Sequence, residues 1–442
     1  MNTQNFAAFS PLLNSDIPLY MQIYTYYKAL ITSGKLPPNR KLPSIRRCAE
    51  SLSVSRTTAE AAYFQLCADG YIVSKPQSGY YVTDLYFRPP AKKPSAPAEQ
   101  TPFVRYDFSS LSADPESFDF GLWKRYLKSA LRQDARMLSY GEVQGEYDLR
   151  AAVAQYITEK RNVICTAENI VIGAGVQSLL HILCAILKEQ HTIAFRDREF
   201  AQGKAIFRDH GFGITEEESK ADVLYISPSH VNRHGDVMPT QARIALLKSA
   251  AEHGTLLIED DYDNEFAYFG RPAPALQGLD GGQHVIYLGT FSRLLLPSIR
   301  LSFMVLPDGF LRRYREIAAL YNQTASKAEQ IALCQFIRDG HLASQIRKVR
   351  RLYEQKTADL EAAVRSIFGA QAKRISKTGF TVRANIQTPL SAAALIRLAA
   401  QKGIAVRAAD TENGCLLFLS CSGVRSTEFQ RALHILREIS AG

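Results

Sequence analysis

Thr255-Leu256-Leu257-Ile258-Glu259-Asp260-Asp261-Tyr262 is an apolar run, short enough for one buried strand, that ends in three acids and a tyrosine. A strand of an open α/β sheet closed in this way carries its polar side chains at the carboxyl edge, where such folds bind ligands. Asp260 and Tyr262 are two positions apart and face the same side if the backbone stays extended. Taken alone, the acids also read as a loop or a cap. Comparable runs lie on both sides, at Asn169 to Ile172, Thr192 to Phe195, Val223 to Ser227 and Val285 to Leu288, with amphipathic helical pattern between them. This alternation predicts a mostly parallel α/β sheet.

Two turns extend the same edge. Gly173-Ala174-Gly175-Val176-Gln177 follows a strand and opens a helix, so small residues let the backbone approach an anion while the first amides point at it. Gly289-Thr290-Phe291-Ser292 follows another strand, and Pro297-Ser298-Ile299-Arg300 comes shortly after.

The chain of 442 residues, 46% hydrophobic and 22% charged, holds two or three domains with proper cores and is not disordered for most of its length. Its longest apolar stretch, Leu179 to Leu187, contains His181 and ends at Lys188, too short and interrupted to cross a hydrocarbon layer of about 30 Å. Met1 to Ser10 lacks a basic region followed by an apolar core, so no secretory signal is expected. Cysteines at 48, 67, 165, 184, 334, 415 and 421 are scattered and form no Cys-x-x-Cys pair. That pattern fits a reducing cytoplasm and argues against structural zinc, so no metal is expected.

A formal charge of +10 suggests an anionic partner. Between Gly34 and Arg56 lie Lys35, Arg40, Lys41, Arg46, Arg47 and Arg56 against Glu50 alone, which concentrates half of that excess in one small segment. Residues 84–104, with Arg88-Pro89-Pro90 and Lys92-Lys93-Pro94-Ser95-Ala96-Pro97, read as an extended, partly stiff linker. They divide a first domain over 16–83 from a second over 105–442.

In the first domain, Leu19, Ile23, Leu30 and Ile31 recur at helical spacing. A short helix follows from Ser44 to Leu52, then a tight turn at Ser53-Val54-Ser55, then a helix from Arg56 to Asp69 capped by Ser55. This is helix-turn-helix spacing, and the second helix presents Arg56, Thr57 and Thr58 in its first turn. Gly70 to Val82 reads as a β-hairpin wing with Gly79 at its tip. Any one of these arginines alone reads as part of a solvated helix face. The string Pro18-Leu19-Tyr20, Gly34-Lys35-Leu36, Leu42-Pro43-Ser44-Ile45-Arg46, Val54-Ser55-Arg56-Thr57-Thr58 and Ala62-Tyr63 strongly resembles the GntR-family DNA-binding domain. The resemblance implies a winged helix-turn-helix that binds a double-stranded operator. Arg46, Arg56, Thr57, Thr58 and Gly79, with Ser44 and Ser55 at the helix starts, would be its DNA-binding residues.

In the second domain, Tyr140-Gly141, Gly145, Leu149-Arg150, Gly173-x-Gly175-x-Gln177, Pro228-Ser229-His230, Ile258 to Asp263, Leu276-Gln277 and Gly289-Thr290-Phe291-Ser292 look like the fold-type-I aminotransferase domain of MocR regulators, a GntR subfamily. The resemblance implies a large α/β domain with a mostly parallel sheet, a smaller α/β C-terminal subdomain, and pyridoxal phosphate as the cofactor. Gly175, Val176 and Gln177, with Ser292 and Arg300, would bind the phosphate. Asp260 would face the ring nitrogen, Tyr262 the ring oxygen, and His230 would lie near the ring. Phe200 falls where a tyrosine normally stacks on it, keeping the surface without the hydroxyl.

One departure matters most. The residue after Gly-Thr-Phe-Ser is, in this family, the lysine that forms a Schiff base with the cofactor, and here it is Arg293. A Schiff base needs a primary amine that can lose its proton, whereas a guanidinium is delocalised and stays charged. Phe418 occupies the slot of the family's substrate-carboxylate arginine, with Arg383 and Arg407 as candidate substitutes. Three readings follow. Either pyridoxal phosphate or an adduct binds noncovalently and shifts DNA-binding states; or the pocket has changed or lost its ligand, with Arg293 paired to Asp260 or an anion, and the domain serves as a dimerisation scaffold; or the chain is a working aminotransferase, against which Arg293 argues. The resemblance also implies a homodimer, matching two DNA half-sites.

Overall fold

The computed structural model describes residues 11–12, 17–83, 103–110, 112–196, 200–229, 237–262 and 273–441. The chain divides into two compact units, Met1–Thr101 and Pro102–Gly442. The linker expected over 84–104 lies outside the described residues except for Phe103 and Val104.

In the first unit, α1 (Leu19–Thr32), α2 (Ile45–Leu52) and α3 (Arg56–Ala68) precede a hairpin of β1 (Ile72–Lys75) and β2 (Gly79–Val82). Serines start α2 and α3 as the sequence predicts: Ser44 Oγ accepts from the Arg47 amide at 3.2 Å and Ser55 Oγ from the Thr58 amide at 3.1 Å. Each satisfies a helix-terminal donor, worth about 1 kcal/mol. Ser53 closes α2 in the left-handed conformation, which turns the chain sharply enough for α3 to begin three residues later. The core includes Ile23, Tyr27, Ile31, Cys48, Ala59, Tyr63, Leu66, Ile72 and Val82, and the Tyr63 hydroxyl donates to the Pro43 carbonyl at 2.9 Å. Gly79 is not at the hairpin tip. It pairs with Lys75 as the first residue of β2, and the turn itself is Pro76-Gln77-Ser78, with Gln77 at φ 57°.

The second unit opens with β3 (Tyr106–Asp107). Seven strands follow: β4 (Ile170–Gly173), β5 (Thr192–Phe195), β6 (Gly213–Thr215), β7 (Val223–Ile226), β8 (Leu256–Asp260), β9 (Val285–Thr290) and β10 (Ser302–Val305). They form one sheet in the order β4-β10-β9-β8-β7-β5-β6. All pairings are parallel except those of β10, which runs antiparallel to β4 and β9. β5, β7, β8 and β9 carry mostly apolar residues buried along their length, as strands covered by helices on both faces require.

A smaller sheet is built from β11 (Ala372–Thr378), β12 (Thr381–Ile386), β14 (Arg407–Thr411) and β15 (Gly414–Ser420), in the antiparallel order β11-β12-β15-β14. Between them β13 (Ile404–Ala405) pairs with β3 in parallel. This is the large α/β domain and smaller subdomain that the sequence implies. β8 extends two residues beyond the apolar run, and the reason is that its acids have partners. Glu259 accepts from the amides of Leu276 and Gln277, both at 3.0 Å, so a buried carboxylate can remain within the strand.

Candidate ligand cleft and nucleic-acid interface

The N-terminal unit presents its charges outward. Arg46 is 86% exposed and pairs with Glu50 one helical turn away at 3.0 Å, an ion pair weak enough to yield to a phosphate. Arg56 and Thr57 are exposed at the start of α3, and Thr58 is half-buried. Ser55 Oγ lies 2.8 Å from Thr57 Oγ1 and 2.7 Å from Thr58 Oγ1, so the cap also orients both threonine hydroxyls. In the wing, Lys41 and Lys75 lie over the Tyr81 ring, at 5.8 Å and 4.7 Å from its centroid. A hydrogen bond from Ser78, then the charge of Lys41 and Lys75, draws the Tyr81 phenol below its ordinary value. The sequence reading counted Lys41 but missed Lys75; alternation along β1 and β2 was the available signal for pairing it with Tyr81.

In the second unit, a cleft of about 370 Å³ opens at the carboxyl ends of β8 and β9. Gly175, Val176, Gln177, Phe200, Asp260, Tyr262, Ser292, Arg293 and Arg300, scattered over more than a hundred positions, line it together. His230 lies outside the described residues. Gly175 has φ +90°, and a side chain there would run into the Arg300 guanidinium, so only glycine lets that cation reach the start of the helix Val176–Ile186. Gly203 likewise leaves the space that the Phe200 ring fills. Sequence reasoning missed Tyr225, Ser227, Thr290 and Ser302, which also line the cleft. Tyr225 is the polar-tipped residue in the β7 run and Ser227 lies two positions on, a period-2 signal that would have found both.

Tyr225 donates to Asp260 Oδ2 at 2.5 Å, fixing the carboxylate at the cleft floor. Its ring stacks at a tilt between Phe195 and Phe200, at 5.2 Å and 5.3 Å. Ser227 Oγ and Ser292 Oγ are buried without a hydrogen-bond partner among the described residues, the mark of a site built for a ligand or water. Behind the strand, Asp261 accepts from Arg161 Nε at 2.7 Å and from the Tyr287 hydroxyl at 2.5 Å. Burial, then the charge of Asp261, pushes the Glu259 carboxyl up to about 7.

Arg293 is held by aromatic rings. Its guanidinium carbon lies 5.3 Å from the Tyr262 ring centroid and 5.1 Å from that of Phe380, in the turn between β11 and β12. Phe418 on β15 is paired in register with Arg383 on β12 and Arg407 on β14, whose guanidiniums lie 5.9 Å and 5.6 Å from its ring. Both candidate substitutes therefore border the phenylalanine on its own sheet face. Among the described residues, no group of three or more His, Cys, Asp or Glu is placed to hold a metal, and no helix is long and apolar enough to cross a membrane.

Reader and cleft define a two-part class of protein. The family described as "Bacterial regulatory proteins, gntR family" matches residues 19–82, and "Aminotransferase class I and II" matches residues 118–434. The chain is similar to the uncharacterized HTH-type transcriptional regulator YdeL of Bacillus subtilis, 38% identical over 90% of both chains. It is also 31% identical to the probable rhizopine catabolism regulatory protein MocR of Rhizobium meliloti, over 78% of this chain and 76% of the relative. Among solved structures, the α-aminoadipate aminotransferase LysN of Thermus thermophilus shares its fold, with a TM-score of 0.65 and 23% identity over 76% of this chain and 91% of LysN. The chain belongs to the MocR type of GntR-family transcription regulators, which join a DNA-binding helix-turn-helix to a domain with the aminotransferase fold.

Proposed function

We propose that the cleft of this DNA-binding regulator senses pyridoxal phosphate or a closely related small molecule without a covalent link, and that the domain has no transaminase activity. The observation that carries the reading is the convergence of the phosphate-side and ring-side residues on one cleft in which Arg293 stands at the expected lysine position. The fit is supported by the buried Ser292 and Ser227 hydroxyls and by the glycine-backed approach of Arg300. Bound there, the group would supply an aldehyde on an electron-poor ring. Gly175, Val176, Gln177, Ser292 and Arg300 would bind its phosphate, Asp260 would hold a proton at the ring nitrogen, Tyr262 would meet the ring oxygen, and Phe200 would cover a ring face. A guanidinium neither tethers an aldehyde nor shuttles a proton at neutral pH, so occupancy is read as a change in DNA-binding state.

Homodimerisation belongs to the same proposal. Leu138 and Tyr140 are 90% and 99% exposed, and the carbonyls of Ser139 and Tyr140 are tied to Lys327 Nζ, which places the segment beside the helix Lys327–Arg338. A second copy would cover this apolar surface and bring two readers to two half-sites. The test is a calorimetric titration of the full chain with pyridoxal phosphate, paired with operator binding in its presence and absence. Saturable binding that shifts operator affinity, with no amino transfer, is expected. Turnover of an amino donor, or the absence of binding in a folded dimer, would overturn the reading.

A further inference from the structure

Helix α3 carries more on its outer face than the residues of its first turn. Ala59, Ala62, Tyr63 and Leu66 face the core, whereas Arg56, Thr57, Glu60, Ala61 and Phe64 are exposed. Arg56, Glu60 and Phe64 follow one another at intervals of four residues, so they form one row along the helix with about 6 Å between successive members. Phe64 is 75% exposed, although the ring of Tyr63 beside it in the chain is fully buried.

Glu60 differs from the other acids around it. The described acids of the first unit are Glu50, Glu60 and Asp69. Glu50 pairs with Arg46 at 3.0 Å, and Asp69 accepts from the Tyr24 hydroxyl at 2.5 Å and from Gln65 Nε2 at 3.0 Å. Arg56 stands one turn before Glu60, the same spacing as Arg46 and Glu50, yet Glu60 has no ion pair or hydrogen-bond partner among the described residues. A lone carboxylate on a cationic surface that binds DNA repels every phosphate it nears, so it lowers affinity for DNA of any sequence. A contact to a base edge gives it a use.

The major groove narrows which base that is. An ionised carboxylate only accepts hydrogen bonds, and the groove's donors are cytosine N4 and adenine N6. On adenine the acceptor N7 lies beside N6 and repels the second carboxylate oxygen, while guanine and thymine present acceptors at O6, N7 and O4. With DNA over the row, the Phe64 ring would keep water from the carboxylate, so an acceptor opposite Glu60 would leave it buried and unpaired.

Resting on the reading of α3 as the helix that enters the major groove, we propose that Glu60 is a base-specificity residue of this regulator. It accepts from the N4 amino group of a cytosine, within about two base-pair steps of the pair that Arg56 meets. Glu60 thereby lowers general affinity for DNA and raises discrimination among sequences.

The experiment is selection of operators by the full chain from a pool of randomised duplexes, followed by titration of single-base variants of the selected site. Wild type, Glu60→Gln, Glu60→Ala and Arg56→Ala are compared. The wild type is expected to prefer cytosine at one position by about tenfold over guanine or thymine. Glu60→Ala should shrink that preference to less than about threefold, and Glu60→Gln should move it to adenine, whose N6 and N7 suit an amide. Both variants should keep the wild-type thermal midpoint, since the side chain has no partner to lose, and both should bind non-operator DNA more tightly. Tighter binding of all sequences with every base preference intact would mean that Glu60 only repels phosphate, and overturns its role as a reader. A changed preference in Arg56→Ala beside unchanged preferences in both Glu60 variants likewise overturns the role of Glu60 while leaving α3 in the groove. Unchanged preferences in all three variants overturn the placement of α3 as well.

Discussion

The reader and the cleft use polar side chains in opposite ways. In the reader, Arg46, Arg56, Thr57 and Ser55 stand in solvent over a core of tyrosines and aliphatics, and among the described residues no buried side chain is charged. In the cleft, Asp260 is 7% exposed, Ser227 2% and Tyr225 1%, and behind them Arg161 pairs with Asp261. Exposed cations bind a polyanion through charge and counterion release, so their contribution is graded and salt-dependent. Buried groups act through desolvation, so removing one leaves its partner stranded. A single substitution should therefore cost the two regions different quantities: fold stability behind the cleft, binding strength in the reader.

The largest effect is expected at Arg161. Its side chain is 4% exposed, donates to Asp261 at 2.7 Å and also reaches the Ala273 carbonyl. Arg161→Ala strands a buried carboxylate immediately after the strand that carries Asp260, at a cost of about 3–5 kcal/mol. The measurement is urea denaturation followed by the single tryptophan, Trp123, which lies in the second unit and is 5% exposed. A loss under about 1 kcal/mol would break the comparison, because the cleft would then rest on its packing alone. Pairing Arg161→Met with Asp261→Leu sharpens it, since removing both charges should recover much of the loss.

In the reader, Arg56→Ala should leave stability almost unchanged and weaken operator binding by about 1–3 kcal/mol if the guanidinium meets a base edge. If it meets only phosphate, all sequences weaken alike and the slope of affinity against salt falls by about one unit. Unaltered affinity in titrations at two salt concentrations would move the recognition surface away from the start of α3.

How much of this was legible in the sequence follows the same division. The helix starts at Ser44 and Ser55 and the strand at Thr192 to Phe195 are local features, written in capping residues and apolar runs, and the structure places them where the sequence does. The cleft was legible through resemblance, which named all nine of its described candidate residues, while Tyr225, Ser227, Thr290 and Ser302 were missed because an isolated polar tip in a strand carries no label. The extra length of β8 was hidden for a different reason. Glu259 and Asp260 look like strand breakers until the amides of Leu276 and Gln277 and the phenol of Tyr225 arrive from positions far along the chain. The ring contacts of Arg293 depend on Phe380, 87 residues further on, and no pattern in the sequence links the two.

The smallest expected effect separates folding from binding within the reader itself. Ser55 Oγ caps α3 through the Thr58 amide and also contacts the hydroxyls of Thr57 and Thr58. Ser55→Ala removes the cap and should cost the first unit about 1 kcal/mol, read as a lower thermal midpoint. Ser55→Asp restores a good capping acceptor and adds a negative charge at the positive end of the helix, so stability should return to near the wild-type value. That same charge faces the surface where a phosphate must dock, so operator binding should fall most in the more stable of the two variants. Were affinity instead to follow stability across the pair, Ser55 would act on DNA only through the fold, and the contrast between an exposed reader and a buried cleft would not extend to this serine.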